Sequence, residues 1–114
     1  MRDRDAQFLR KVVAEADVIA QLIDGFDLAA FCADERTKRA VSMTLINIGE
    51  LVKGLSEEVR VSNPHVPWRG VTGLRDMAAH KYQTLRQEDI WETVTNDVPP
   101  LRMQIIELLD NNGE

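Results

Sequence analysis

Residues 41–55 read VSMTLINIGELVKGL. Val41, Leu45, Ile48, Val52 and Leu55 step by four, three, four and three, which sets all five on one stripe of an α-helix. Just upstream, Asp34 is placed as an N-cap, with Glu35 in the favourable first turn. Gly54 marks the end of this long helix, and Lys38 and Arg39 are expected on its solvated face.

The same periodicity extends in both directions. Phe8, Val12, Ala16, Ile19, Ile23 and Phe26 form one stripe on a helix from about Asp5 to Asp24, stopped by Gly25. Leu28 to Ala33 reads as a short apolar connection or a turn of helix. Ser56, followed by Glu57 and Glu58, is suited to cap one further short turn. Asn63-Pro64-His65-Val66-Pro67 is the strongest break in the chain. Pro67 suits the first position of a third helix running from about Trp68 to Tyr82, which Gly70 and Gly73 weaken by about 1 kcal/mol each relative to Ala. In the last segment, Ile90, Val94, Val98, Leu101, Ile105 and Leu108 hold one helical register across Pro99 and Pro100, so one long helix with a kink at the prolines is expected. No strand alternation or hairpin dipeptide appears. The fold class is therefore all-α, an antiparallel bundle of four to five helices in a single domain over residues 1–114.

Composition narrows the function. With 44% hydrophobic and 29% charged residues, the chain is ordinary globular material. The longest apolar run, Leu28 to Ala33, is far too short to span a bilayer, and the charged start leads into no signal-peptide core, so a cytoplasmic protein is expected. One cysteine, Cys32, rules out an intramolecular disulfide and reads as a small hydrophobe. His65 and His80 lie far apart and show no zinc-helix spacing, so neither a metal site nor a cofactor is expected. A net charge of −5 argues against a domain that coats nucleic acid through overall charge, and no basic recognition helix is present for DNA. A local basic site remains open: between Val66 and Arg86, Arg69, Arg75, Lys81 and Arg86 face the single acid Asp76. Aromatic residues for stacking unpaired bases are scarce.

The chemically informative stretch is Arg75-Asp76-Met77-Ala78-Ala79-His80-Lys81-Tyr82. Asp76 and His80 are four apart and share a helix face, so the carboxylate can orient the imidazole and raise its basicity. Arg75 and Tyr82, seven apart, also share a face, whereas Arg75 and His80 differ by about 140° around the axis. A guanidinium can hold two phosphate oxygens, and an imidazole titrates near neutral pH. By spacing alone the residues also admit an ordinary reading: Arg75 in a surface ion pair, His80 near a helix C-terminus, Tyr82 packing its ring. Trp68 and Trp91 read as core or dimer contacts, His65 as a solvated loop residue, and Glu50 as an exposed helical glutamate, although it could reach the motif helix.

Arg75, four residues, His80, one residue, Tyr82 resembles the signature of HepT-like toxins in the HEPN superfamily. The similarity extends to Ile48-Gly49-Glu50, to Pro64 and Pro67-Trp68, and to Trp91 and Asn96-Asp97-Val98-Pro99, covering about Arg36 to Leu109. Position 76 is usually polar in these proteins, often Asn; Asp76 keeps the polarity and adds a negative charge. The resemblance implies a HEPN-like bundle that pairs into a homodimer, with two motif helices facing one cleft. It also implies a metal-independent endoribonuclease acting as a toxin on RNA, with Arg75, His80 and Asp76 at its catalytic centre. The implied partner is a nucleotidyltransferase antitoxin of the MntA type, which transfers AMP to Tyr82 and silences the toxin. The alternative is a non-catalytic HEPN binding module that docks such a nucleotidyltransferase.

Overall fold

A computed structural model describes the backbone of residues 1–83 and 86–114, and the side chains of all of these except 81–83. Eight α-helices appear among the described residues: α1 (Asp3–Ile23), α2 (Leu28–Ala33), α3 (Glu35–Lys53), α4 (Glu57–Ser62), α5 (Trp68–Thr72), α6 (Leu74–Gln83), α7 (Gln87–Glu92) and α8 (Val98–Asn111). A π-helical turn, Thr93–Asp97, joins α7 to α8. No strand occurs among the described residues.

The stops and starts follow local chemistry. Gly25 ends the first segment with φ +78, a left-handed conformation open to glycine at little cost. Asp27 caps α2 by accepting the Ala30 N–H at 2.8 Å, and Asp34 caps α3 by accepting the Thr37 N–H at 2.9 Å. The Thr37 N–H bond is the main cause of a lowered Asp34 pKa. Ser56 stands at the start of α4 but does not cap it. Its hydroxyl donates to the Asp5 carboxylate at 2.7 Å, and its N–H donates to the other Asp5 oxygen at 3.0 Å. Asp5 is buried, and these two bonds satisfy it.

These contacts also orient the bundle. Asp5 meets Ser56, the Phe8 ring lies over Gly54, and Glu15 meets Asn47, so α1 and α3 run antiparallel. Arg10 pairs with Glu114 and Asp17 with Arg102, so α8 is antiparallel to α1 on its other side. α6 begins beside Gly49 and packs extensively on α3. Only four residues of α3 lie beyond that point, so α6 runs back toward the start of α3.

The expected stripe of α3 is buried throughout, from Val41 to Leu55, as is the Ile90–Leu108 register. Each such Val, Leu or Ile contributes roughly 1.5–3 kcal/mol by leaving water. Besides Ser56, four expectations change in detail. On α1 the inward residues include Ala6 and Leu9, while Phe8, Ile23 and Phe26 are half-buried. Phe8 instead covers Gly54 and carries the Arg4 guanidinium 5.0 Å over its ring. Lys38 is buried rather than solvated, its ammonium held by Glu35 at 2.7 Å. The expected helix from Trp68 to Tyr82 is divided at Gly73, and Pro67 precedes it as the N-cap. Finally, the departure from α geometry in the last helix lies at Thr93–Asp97, and the prolines occupy the first turn of α8, where a missing N–H costs least.

Candidate active site on the sixth helix

The site is positioned by a glycine on α3. A Cβ at Gly49 would stand 2.9 Å from the Arg75 backbone nitrogen, 3.2 Å from its Cβ and 3.3 Å from the Thr72 carbonyl oxygen. Only a residue without a side chain lets the start of α6 come this close. One residue on, Glu50 reaches the motif helix: its Oε1 lies 2.8 Å from Arg75 Nε. Both side chains are about half exposed, at 48% for Glu50 and 52% for Arg75. The Gly49-Glu50 pair therefore sets both the distance between the helices and the aim of the guanidinium. Glu50 is thus the exposed helical glutamate the sequence led one to expect and also reaches the motif helix, the contact left open there because helical spacing within α3 carries no information about what α6 brings alongside.

α6 buries Ala78 completely and half-buries Leu74 and Met77. Arg75, Asp76, Ala79 and His80 are exposed. At about 100° per residue they span one solvent-facing arc of roughly 140°, with Arg75 and His80 at its edges and the small Ala79 between. Asp76 and His80 stand four residues apart on this arc. Lys81 and Tyr82 belong to the α6 backbone; their side chains lie outside the described residues.

The basic excess expected between Val66 and Arg86 is offset by acids from elsewhere. Glu50 pairs with Arg75, while Glu88 and Asp89 approach Arg86 at 3.1 and 3.5 Å. Trp68 is buried, its indole N–H donating to the Asn63 carbonyl at 2.9 Å, and half-buried Trp91 packs 5.2 Å from the Phe31 ring centre. His65 is exposed in its loop. Among the described residues no cluster of three or more His, Cys, Asp or Glu is placed to hold a metal ion, and no helix is long and apolar enough to cross a membrane.

Comparison with known proteins shows the family of the chain. A family profile described as "Ribonuclease HepT-like" matches residues 13–108, from the middle of α1 to near the end of α8. The chain belongs to the HepT-like ribonuclease family. It is 32% identical to a protein of Caldanaerobacter subterraneus subsp. tengcongensis named "Putative RNase", over 90% of this chain and 91% of that one. It is 35% identical to a Methanocaldococcus jannaschii protein of the same description, over 94% and 89%. A Thermococcus cleftensis protein named "Probable ribonuclease HepT" is 26% identical over 90% and 93%. No solved structure matches. The HepT-like profile spans the Gly49-Glu50 pair and the Arg75–Tyr82 signature alike.

Proposed function

We propose that this HepT-like chain is a metal-independent endoribonuclease toxin of a toxin–antitoxin pair, cleaving RNA with Arg75 and His80. The observation that carries the reading is the solvent-facing arc of α6, which keeps a guanidinium and an imidazole accessible in a chain of ribonuclease family. RNA supplies its own nucleophile. His80 takes the proton of a ribose 2′-OH as that oxygen attacks the adjacent phosphorus. The bond from phosphorus to the 5′-oxygen breaks, a 2′,3′-cyclic phosphate forms, and an imidazolium returns a proton to the leaving 5′-oxygen. Arg75 steadies the charge on the pentavalent phosphate. A guanidinium has five N–H donors, so one held by Glu50 through Nε keeps others for phosphate oxygens. Asp76 would orient His80 once substrate is in place.

On a single helix, Arg75 and His80 point about 140° apart. A homodimer that sets two α6 arcs across one cleft would bring an Arg75 from one copy toward a His80 of the other. In this reading a nucleotidyltransferase antitoxin of the MntA type transfers AMP to the Tyr82 hydroxyl. The added phosphodiester carries one negative charge toward Arg75 and occupies the place of an RNA phosphate.

The test is purified protein incubated with RNA in excess chelator. Cleavage should persist in the parent and fall by at least about a hundredfold in His80→Ala and Arg75→Ala, with helical content unchanged by circular dichroism. Cleavage by His80→Ala at the parental rate overturns the mechanism. A parent that leaves RNA intact but still binds a nucleotidyltransferase favours the non-catalytic docking module.

A further inference from the structure

Beside the motif helix lies a groove of about 380 Å³ that the mechanism does not use. Val71 of α5 and Leu74 of α6 form one wall; Val98 and Leu101 of α8 form the other. Asn96 and Asp97 stand at its rim on the π-helical turn. The volume falls in the range of small-ligand sites, and mostly apolar walls with few polar groups are the usual construction. Leu74 directly precedes Arg75 on α6, about 100° from it around the helix axis.

The polar chemistry of the rim selects an occupant. Asp97 makes no hydrogen bond or ion pair among the described residues, and its ionised carboxylate only accepts. A groove walled by aliphatic side chains, with the Asp97 carboxylate at its rim beside the Asn96 and Gln104 amides, fits a planar base that offers adjacent donors to that carboxylate. Guanine presents N1–H and N2–H₂ side by side, matching the two oxygens of a carboxylate. Adenine and cytosine offer one amino donor beside an acceptor, and uracil a single N–H between two acceptors. Aliphatic walls can sandwich an extruded base where aromatics are scarce. π-Helical turns also recur at functional sites.

We infer that this groove is a nucleobase subsite in which Asp97 reads the Watson–Crick edge of an unpaired guanine while Arg75 holds a neighbouring phosphate. The inference rests on the ribonuclease reading above for its substrate class. It gives the enzyme a base preference at the cut site. It also separates the reading of the base from cleavage, placing the first on α8 and its π-helical turn and the second on α6.

The experiment is methyl-resolved NMR of the full chain titrated with each of the four nucleoside 5′-monophosphates. Guanosine monophosphate should shift the Val71, Leu74, Val98 and Leu101 methyls and bind about tenfold or more tighter than the other three. Asp97→Asn should abolish that preference. Gly70→Leu is the second variant: a Cβ at Gly70 meets nothing within 4 Å, so the added side chain can fill the groove without strain. It should block all four nucleotides from these methyls. Equal binding of all four by the parent, or shifts confined to residues around Arg75, overturns the subsite. Cleavage of mixed-sequence RNA with no preference for guanosine, together with silent groove methyls, overturns the subsite and leaves the ribonuclease standing. Guanosine-selective shifts in a parent that leaves RNA uncut support the subsite and overturn the ribonuclease.

Discussion

α3 and α6 lie against one another, yet they are made for different ends. α3 buries nine residues, among them Val41, Leu45, Ile48 and Val52 at zero exposure, and is capped at its start by Asp34. α6 buries Ala78 completely and leaves Arg75, Asp76, Ala79 and His80 in solvent. The long helix contributes a large share of the buried core; the short one presents the groups proposed above for the chemistry. Its placement depends on its neighbour, through the absent side chain at Gly49 and the carboxylate of Glu50. Burial and the proposed chemistry thus fall on separate helices, joined at two adjacent residues.

The division can be broken first on the scaffold side. Ile48→Ala should cost about 2–5 kcal/mol, because it opens a cavity at a position with no exposure. Urea unfolding should show the loss as a lower midpoint at an unchanged slope. Gly49→Val attacks the joint itself. Its side chain meets backbone of α5 and α6, so overpacking should cost about 1–3 kcal/mol and move Arg75. RNA cleavage measured well below the melting temperature should fall further than the population of folded protein does. If activity merely follows folding, the joint has no role in aiming Arg75.

Glu50→Gln sharpens the comparison from the chemical side. A half-exposed ion pair contributes under about 1 kcal/mol, so thermal melting should barely change. Turnover should still drop severalfold as the guanidinium loses its anchor, with substrate affinity less affected. Equal cleavage by parent and variant would reduce the Glu50–Arg75 pair to surface decoration. The smallest effect is expected at Asp34. Its folded pKa is lowered, so its capping contribution is present above the ordinary value of 3.8 and is lost as pH falls through the lower folded value. Asp34→Ala should remove stability at neutral pH and narrow the gap to the parent in strong acid, as read from melting curves across that range.

The difference between the helices also explains what could be read from the chain. Val41 to Leu55 and Ile90 to Leu108 were legible because a periodic apolar stripe has one low-energy placement. Asp34 and Gly25 were legible because cap and left-handed positions have residue preferences of their own. The break at Gly73 was only half visible: two glycines weaken a helix, but the spacing does not say at which of them it divides. The prolines marked the right region of the last helix, while the π-helical turn absorbed the disturbance just before them. Arg75 and His80 were picked out by chemistry and resemblance. Glu50 could be placed within reach of the motif helix, but its partner Arg75 could not be named, since the pair is a tertiary contact between residues twenty-five apart in the chain.

α1 has a consequence for the order of assembly. Its Asp5 waits for Ser56, 51 residues later; its Asp17 waits for Arg102, 85 later; its Arg10 waits for Glu114, 104 later. During synthesis α1 leaves the ribosome well before either helix that covers it. Part of its apolar stripe therefore stays exposed until α8 has emerged, and the bundle closes late around an early segment of chain. A nascent chain stalled before residue 98 would hold α1 against α3 alone, with the α8-facing side of the stripe open to chaperones or to another unfinished copy.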